Sequence, residues 1–208
     1  MQVLIWDLDG TLLDSYPIIV DSTARVLNEI GVSMDRRDIH KYLIDRSVGA
    51  LLMQAAEEKG LSYPALWARY TAINNDRDDE IALVRGAAET LVRLAERGMT
   101  QFVYTHKGET AETVLERLGI LAYFAEVVTA AHGFPRKPRP EGVLYLMETY
   151  GLDPVRTFYV GDRRLDVECA RNAGIRSILF LDPDSPGEAT GREDHIVRDL
   201  LSITEIFS

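Results

Sequence analysis

Residues 3–15 read VLIWDLDGTLLDS. The short apolar run over 3–6 has the pattern of a buried strand. Carboxylates begin where it ends: Asp7, Asp9 and Asp14 fall within eight positions, with Gly10-Thr11 behind the first pair. Acids that close raise each other's pKa and destabilise a fold unless a positive group stands between them. The stretch therefore predicts a strand whose carboxyl end holds a cation. If the strand continues, Asp7 and Asp9 share a face and both reach one ligand. Gly10 then lets the backbone leave the sheet.

Four more strands follow from the same reading, over 100–105 (TQFVYT), 126–129 (EVVT), 157–160 (TFYV) and 176–181 (RSILFL). Helical patterns separate them, over 86–98, 109–119, 140–151 and 164–174. Alternating strand and helix means an α/β fold built on a mainly parallel sheet. The segment 15–81 breaks the alternation, with helical patterns alone over 16–31, 35–43, 47–59 and 63–75 and a charged return stretch, NNDRDDE, at 74–80. A parallel crossover needs one helix, not four. The expected domains are thus a catalytic core of 1–14 and 82–208 and an all-helical cap of 15–81. A cap leaving just after DLDGT is expected to sit over the acids.

Composition narrows the function classes. The chain has 208 residues, enough for one core domain with a smaller insert, and 46% are apolar. No apolar run approaches the ~20 residues that span a bilayer, so no membrane is expected as a partner. The start MQVLIWDLDG lacks the pattern of a signal peptide. A single cysteine, Cys169, excludes an internal disulfide and points to a reducing cytoplasm. The net charge of −10, with no basic face, argues against nucleic acid as a partner.

Ligands of open parallel sheets bind beyond the carboxyl ends of the strands. The first strand delivers Asp7 and Asp9 there. The second delivers Thr105, His106 and Lys107. The third is followed by a loop carrying Lys137, and the fourth by GDRRLD with Asp162 and Asp166. Converging carboxylates with one lysine and no His/Cys cluster describe an oxygen-ligand cation site, which favours Mg2+ over Zn2+. Mg2+ usually shares its coordination with substrate phosphate, so the expected ligand is a phosphate ester.

DLDGT, a Thr after the second strand, a Lys in RKPRP and GDRRLD, in that order, resemble the four motifs of the haloacid dehalogenase superfamily, and within it the phosphoglycolate-phosphatase-like branch. The resemblance spans the whole core, and the helical insert matches the place of that branch's small cap. It implies a Rossmann-like parallel sheet of five main strands in the order 3-2-1-4-5. It implies phosphomonoester hydrolysis of a small cytosolic phosphate (phosphoglycolate, a sugar phosphate or a nucleotide) in two steps. Asp7 is the implied nucleophile and Asp9 the general acid and base. Mg2+ is held by Asp7, the main-chain carbonyl of Asp9 and Asp162, with Asp166 as a more distant or water-mediated partner. Lys137 pairs with Asp7 and a phosphate oxygen, and Thr105 with the His106 N–H orients the phosphoryl group.

This chain departs from that pattern. His106 replaces the usual Asn, Gly108 follows Lys107 where proline is usual, and Arg163 replaces a small hydroxyl residue. His106 is a candidate substrate contact, and so are Arg46 and Ser47, polar residues in the cap turn IDRSVG (44–49). Asp14 is expected to cap the first insert helix. Hinges are expected at 14–16 and 79–83. Two other readings remain: a phosphosugar mutase of the same superfamily, and a receiver-like module that stores a phosphoryl group on Asp without hydrolysing it. The sequence leaves the oligomeric state open, monomer or homodimer.

Overall fold

The structure is a computed structural model and describes residues 2–207. Backbone contacts divide the chain into two compact units, Met1–Asp14 with Ala82–Ser208, and Ser15–Ile81.

The first unit is built on a parallel sheet. Strand β1 (Val3–Trp6) lies at its centre, between β4 (Thr100–Tyr104) and β6 (Thr157–Gly161). Short β5 (Val127–Val128) flanks β4, and β7 (Arg176–Phe180) and β8 (His195–Val197) extend the other side. The order β5-β4-β1-β6-β7-β8 contains the expected five strands in the expected arrangement and adds a sixth, β8. All four residues of β1 are buried, because helices cover a parallel sheet on both faces.

Alternate residues sort onto those faces. Val3 and Ile5 join Tyr104, Tyr159 and residues of α7 (Glu141–Tyr150) and α8 (Arg164–Asn172) in one apolar cluster. Trp6 points the other way, and its buried indole N–H donates to Gln101 Oε1 at 3.2 Å. Gln101 in turn donates to the Leu91 carbonyl of α5 (Ala87–Glu96) at 3.1 Å, so the polar atoms beneath α5 are satisfied. Between β4 and β5 lies α6 (Ala111–Arg117). A final turn of helix, α9 (Ile203–Ile206), closes the described chain. The chain leaves and re-enters this unit through a two-residue ribbon that the sequence reading missed. In it β2 (Leu13–Asp14) pairs antiparallel with β3 (Ala82–Leu83). Asp14 lies in β2, and the N-cap position of the next helix belongs to Ser15, which corrects the expected capping role of Asp14.

The second unit contains α1 (Tyr16–Glu29), α2 (Arg36–Asp45), α3 (Val48–Lys59) and α4 (Tyr63–Asn75). Tyr-Pro pairs open α1 and α4, where proline costs no helical hydrogen bond. The four helices bury their own core, with Leu27, Ile39, Leu43, Leu52 and Tyr70 among its residues. On the polar side Asp21 accepts from Arg36 and, at 2.7 Å, from Arg77. The Arg36 hydrogen bond leads in holding the Asp21 carboxyl below its usual range. Arg77 also grips Glu80 at 2.7 Å, so the charged return stretch is pinned onto α1.

Candidate active site

The turn after β1 sets the site. The Asp7 N–H still donates to the Val160 carbonyl at 2.8 Å, which carries the parallel ladder one residue past β1. The chain then curls. The Leu8 carbonyl accepts from the N–H groups of Thr11, Leu12 and Leu13, and Gly10 adopts φ 81° to allow it. Asp7 therefore keeps the face of Ile5. Strand alternation does not extend to Asp9, which sits half-buried in the turn.

Four of the expected residues meet. Lys137 Nζ lies 3.0 Å from Asp7 Oδ1 and 2.6 Å from Asp166 Oδ1, and both lysine and aspartate side chains are almost fully buried. Asp7, Asp162 and Asp166 each offer a carboxylate oxygen, and these oxygens lie within 4.8 Å of one another. A buried all-oxygen donor set of this kind suits a hard divalent cation such as Mg2+. The Asp9 carboxylate is not part of this trio. Asp162 also accepts from the Thr11 hydroxyl at 3.3 Å, which ties the β6 acid to the β1 turn.

Asp166 does two jobs at once. Its Oδ2 accepts the Arg163 N–H at 3.1 Å, at the start of α8, while Oδ1 faces Lys137. The acidic first helical turn and the site residue are thus the same carboxylate. Burial raises its pKa, the Lys137 charge opposes the rise, and Asp7 adds to it, with a net upward shift. Burial works against the Lys137 charge too, yet Asp166 and Asp7 together hold its pKa above the ordinary lysine value.

Thr105 is buried at the end of β4. Its N–H donates to the Val128 carbonyl at 2.9 Å, and its hydroxyl accepts the Lys107 N–H at 3.1 Å. His106 Nε2 accepts the Lys137 backbone N–H at 2.8 Å, so the ring is the neutral tautomer with its proton on Nδ1. Burial, and then the charges of Lys137, Arg136 and Arg163, push its pKa down to about 2. Two tyrosines escaped the sequence reading. The Tyr159 hydroxyl accepts from Lys137 Nζ at 2.9 Å and donates to the Tyr104 carbonyl at 2.6 Å. The Tyr104 hydroxyl donates to the Pro135 carbonyl at 3.1 Å and so holds the loop that carries Lys137. A tyrosine in an otherwise apolar central strand is the signal that was available, because a buried hydroxyl must find a partner. Cys169 is fully buried, and burial pushes its thiol up to about 12, which makes it inert packing.

In the helical unit, Arg46 is exposed at the C-cap of α2. Ser47 is the N-cap of α3, and its hydroxyl accepts the Ala50 N–H at 3.0 Å.

Residues 4–180 match the family model described as haloacid dehalogenase-like hydrolase. The phosphoglycolate phosphatase of Agrobacterium fabrum is 31% identical over 181 residues, which cover 84% of this chain and 78% of that protein. The tyrosine-protein kinase PtkA of Mycobacterium bovis is 31% identical over 204 residues, 94% of this chain and 65% of that protein. A solved structure, a predicted phosphoglycolate phosphatase from Haemophilus somnus, covers 100% of this chain with a TM-score of 0.85 and 22% identity, a likeness of fold. No helix among the described residues is long and apolar enough to cross a membrane.

Proposed function

Because the chain belongs to the haloacid dehalogenase-like hydrolase family, we propose that it is a Mg2+-dependent phosphomonoester hydrolase of the cytoplasm, acting on a small phosphorylated metabolite through an aspartyl-phosphate on Asp7. The observation that carries this reading is the buried cluster of Asp7, Asp162 and Asp166 with Lys137 between Asp7 and Asp166. Such a cluster costs stability, and a site that must hold a divalent cation beside a phosphate dianion accounts for it.

An Asp7 oxygen attacks phosphorus, and the bond to the leaving alkoxide breaks. Asp9 gives that alkoxide its proton, then takes a proton from the water that attacks the aspartyl-phosphate and frees inorganic phosphate. Lys137 holds Asp7 in place for both steps. Thr105 and the His106 N–H orient the phosphoryl group. Asp7, Asp162 and the Asp9 carbonyl, with Asp166 behind them, would hold Mg2+, whose charge lessens the repulsion between carboxylate and phosphate. Phosphoglycolate heads the substrate candidates, on the strength of the Agrobacterium relative, followed by sugar phosphates and nucleotides. Arg46 and Ser47 are proposed to influence that choice.

The test is phosphate release from a panel of such esters, with Mg2+ and with EDTA, beside Asp7→Asn as the blank. Release that needs the metal and vanishes in the variant supports the reading; no release from any ester by folded protein defeats it. The kinase relative favours a second reading, in which the acceptor is a hydroxyl group of another molecule. Phosphate passing from Asp7 to an added alcohol in preference to water would support it.

A further inference from the structure

Lys137 stands in a loop with little means of holding itself. Positions 135, 138 and 140 are proline, which offers no N–H to a neighbour. Within the stretch the Arg139 N–H donates to the Arg136 carbonyl at 3.1 Å. Further holds come from side chains of the flanking elements. The Tyr104 hydroxyl of β4 donates to the Pro135 carbonyl, and the Asn172 amide at the end of α8 donates to the Pro138 carbonyl at 2.8 Å. Both grip carbonyls. The grip on the lysine's own backbone is of the opposite kind, since its N–H donates to His106 Nε2 at 2.8 Å. Of the two charge states of imidazole only the neutral one has an acceptor to offer. Burial and the charges of Lys137, Arg136 and Arg163 keep the ring in that state. The ring is steadied from the side by Tyr104, which it meets edge to face with centroids 6.2 Å apart. His106 also follows directly on Thr105, whose N–H extends the pairing of β4 with β5.

We propose that His106 is a positioning residue for Lys137: its ring ties the lysine loop to the end of β4, so that the turn at Thr105 and the Lys137–Asp7 pair keep a fixed separation. This role rests on the phosphatase reading above and leaves Lys137 Nζ to whatever contacts the reaction brings. A bond to the Lys137 N–H fixes where that side chain starts. Its ammonium lies at the far end of a flexible four-carbon stem, so a shift at the start is carried through to Asp7. Reach decides which residue serves at 106. Asparagine ends one bond short of Nε2, glutamine matches it, and leucine has no acceptor.

The first test needs no turnover. In protein labelled with a spin-active nitrogen isotope, a scalar coupling across the hydrogen bond is expected between the Lys137 amide nitrogen and His106 Nε2. It is expected to persist with Mg2+ and inorganic phosphate added. Its absence from the wild type, or its loss on adding these, overturns the role. Exchange of the Lys137 amide proton with water is expected to speed up on the order of tenfold in His106→Leu and to stay slow in His106→Gln. Fast exchange in the wild type counts against the role. These readouts stand even if no ester releases phosphate, so the two readings fall separately. With an active ester, His106→Leu is expected to lower kcat on the order of tenfold with KM near its wild-type value, because a displaced Lys137 misplaces Asp7. His106→Gln is expected to recover most of that loss. A KM raised equally in both variants makes His106 a substrate contact and defeats the role. A lower melting temperature in His106→Leu with kcat and KM unchanged makes it merely structural and defeats the role too. Should His106→Leu not fold, the wild-type coupling and the kcat of His106→Gln against His106→Asn decide.

Discussion

Gly161 lies directly beneath the Asp166 carboxyl: a β-carbon at 161 would stand 2.4 Å from both Cβ and Cγ of Asp166. The first turn of α8 folds back over the end of β6 at this point, and only a residue without a side chain leaves room. Gly161→Ala must push Asp166 away from Lys137. Overpacking of this kind costs about 1–3 kcal/mol. A lower urea midpoint and a loss of phosphate release are expected together. An alanine variant with wild-type stability and turnover would mean that Asp166 has slack to move.

Lys137→Met keeps the length of the side chain and removes its charge. Asp7 and Asp166 are then buried with no counter-charge, a situation worth about 3–5 kcal/mol of destabilisation. The deficit should shrink in acid. Asp166 already has a raised pKa, and a carboxyl whose pKa is raised by folding favours the folded state at low pH and opposes it as pH climbs through that pKa. Denaturant melts of variant and wild type across the acid range read this directly.

His106 predicts the opposite slope. Its pKa drops from 6.5 to about 2 on folding, with burial the leading cause, so the unfolded chain binds a proton that the folded one refuses. Its contribution to stability is complete above 6.5 and is lost as pH falls below that value. The limiting slope is about 1.4 kcal/mol per pH unit. His106→Gln keeps an acceptor for the Lys137 N–H and does not titrate. The stability difference between the two proteins should therefore change across this window and level off above it. A parallel pair of curves would show that His106 is protonated in the folded state.

Ser47 separates capping from recognition. Its hydroxyl is engaged with the Ala50 N–H. Ser47→Ala is expected to cost about 1 kcal/mol, and Ser47→Asp, which can still cap, much less. Thermal melts of the two variants check the cap. The ester panel run with Ser47→Asp checks the proposed influence on substrate choice, since it alters the group while the helix start survives.

Much of the architecture is written in local pattern. The all-apolar run before Asp7 has the pattern of a strand covered on both faces, and the spacing between 15 and 81 has that of helices. The acids at the ends of β1 and β6 were legible for the same reason: strand ends are where a parallel sheet puts its ligands. Of the shortest elements, β5 was legible as a strand but the β2–β3 ribbon and β8 were not. The β2–β3 ribbon and β8 carry too few residues to show a period, and each exists because a partner strand is supplied from elsewhere in the chain. Asp14 looked like a cap because its type favours caps, but its pairing with Ala82 places it in the ribbon.

The sequence by itself determined which groups are present and which end of the sheet they reach, because periodicity and motif order are properties of near neighbours. Only the tertiary structure decided how those groups divide the available protons. Tyr159 is apolar filling in TFYV until the parallel register sets it beside Ile5, with the Tyr104 carbonyl and the Lys137 ammonium in reach of one hydroxyl. His106 is a loop residue until its ring meets the Lys137 amide, 31 positions away. Hydrogen bonds are settled within a few tenths of an ångström between residues far apart in the chain, and that precision arises only when the strands pair and the helices close over them.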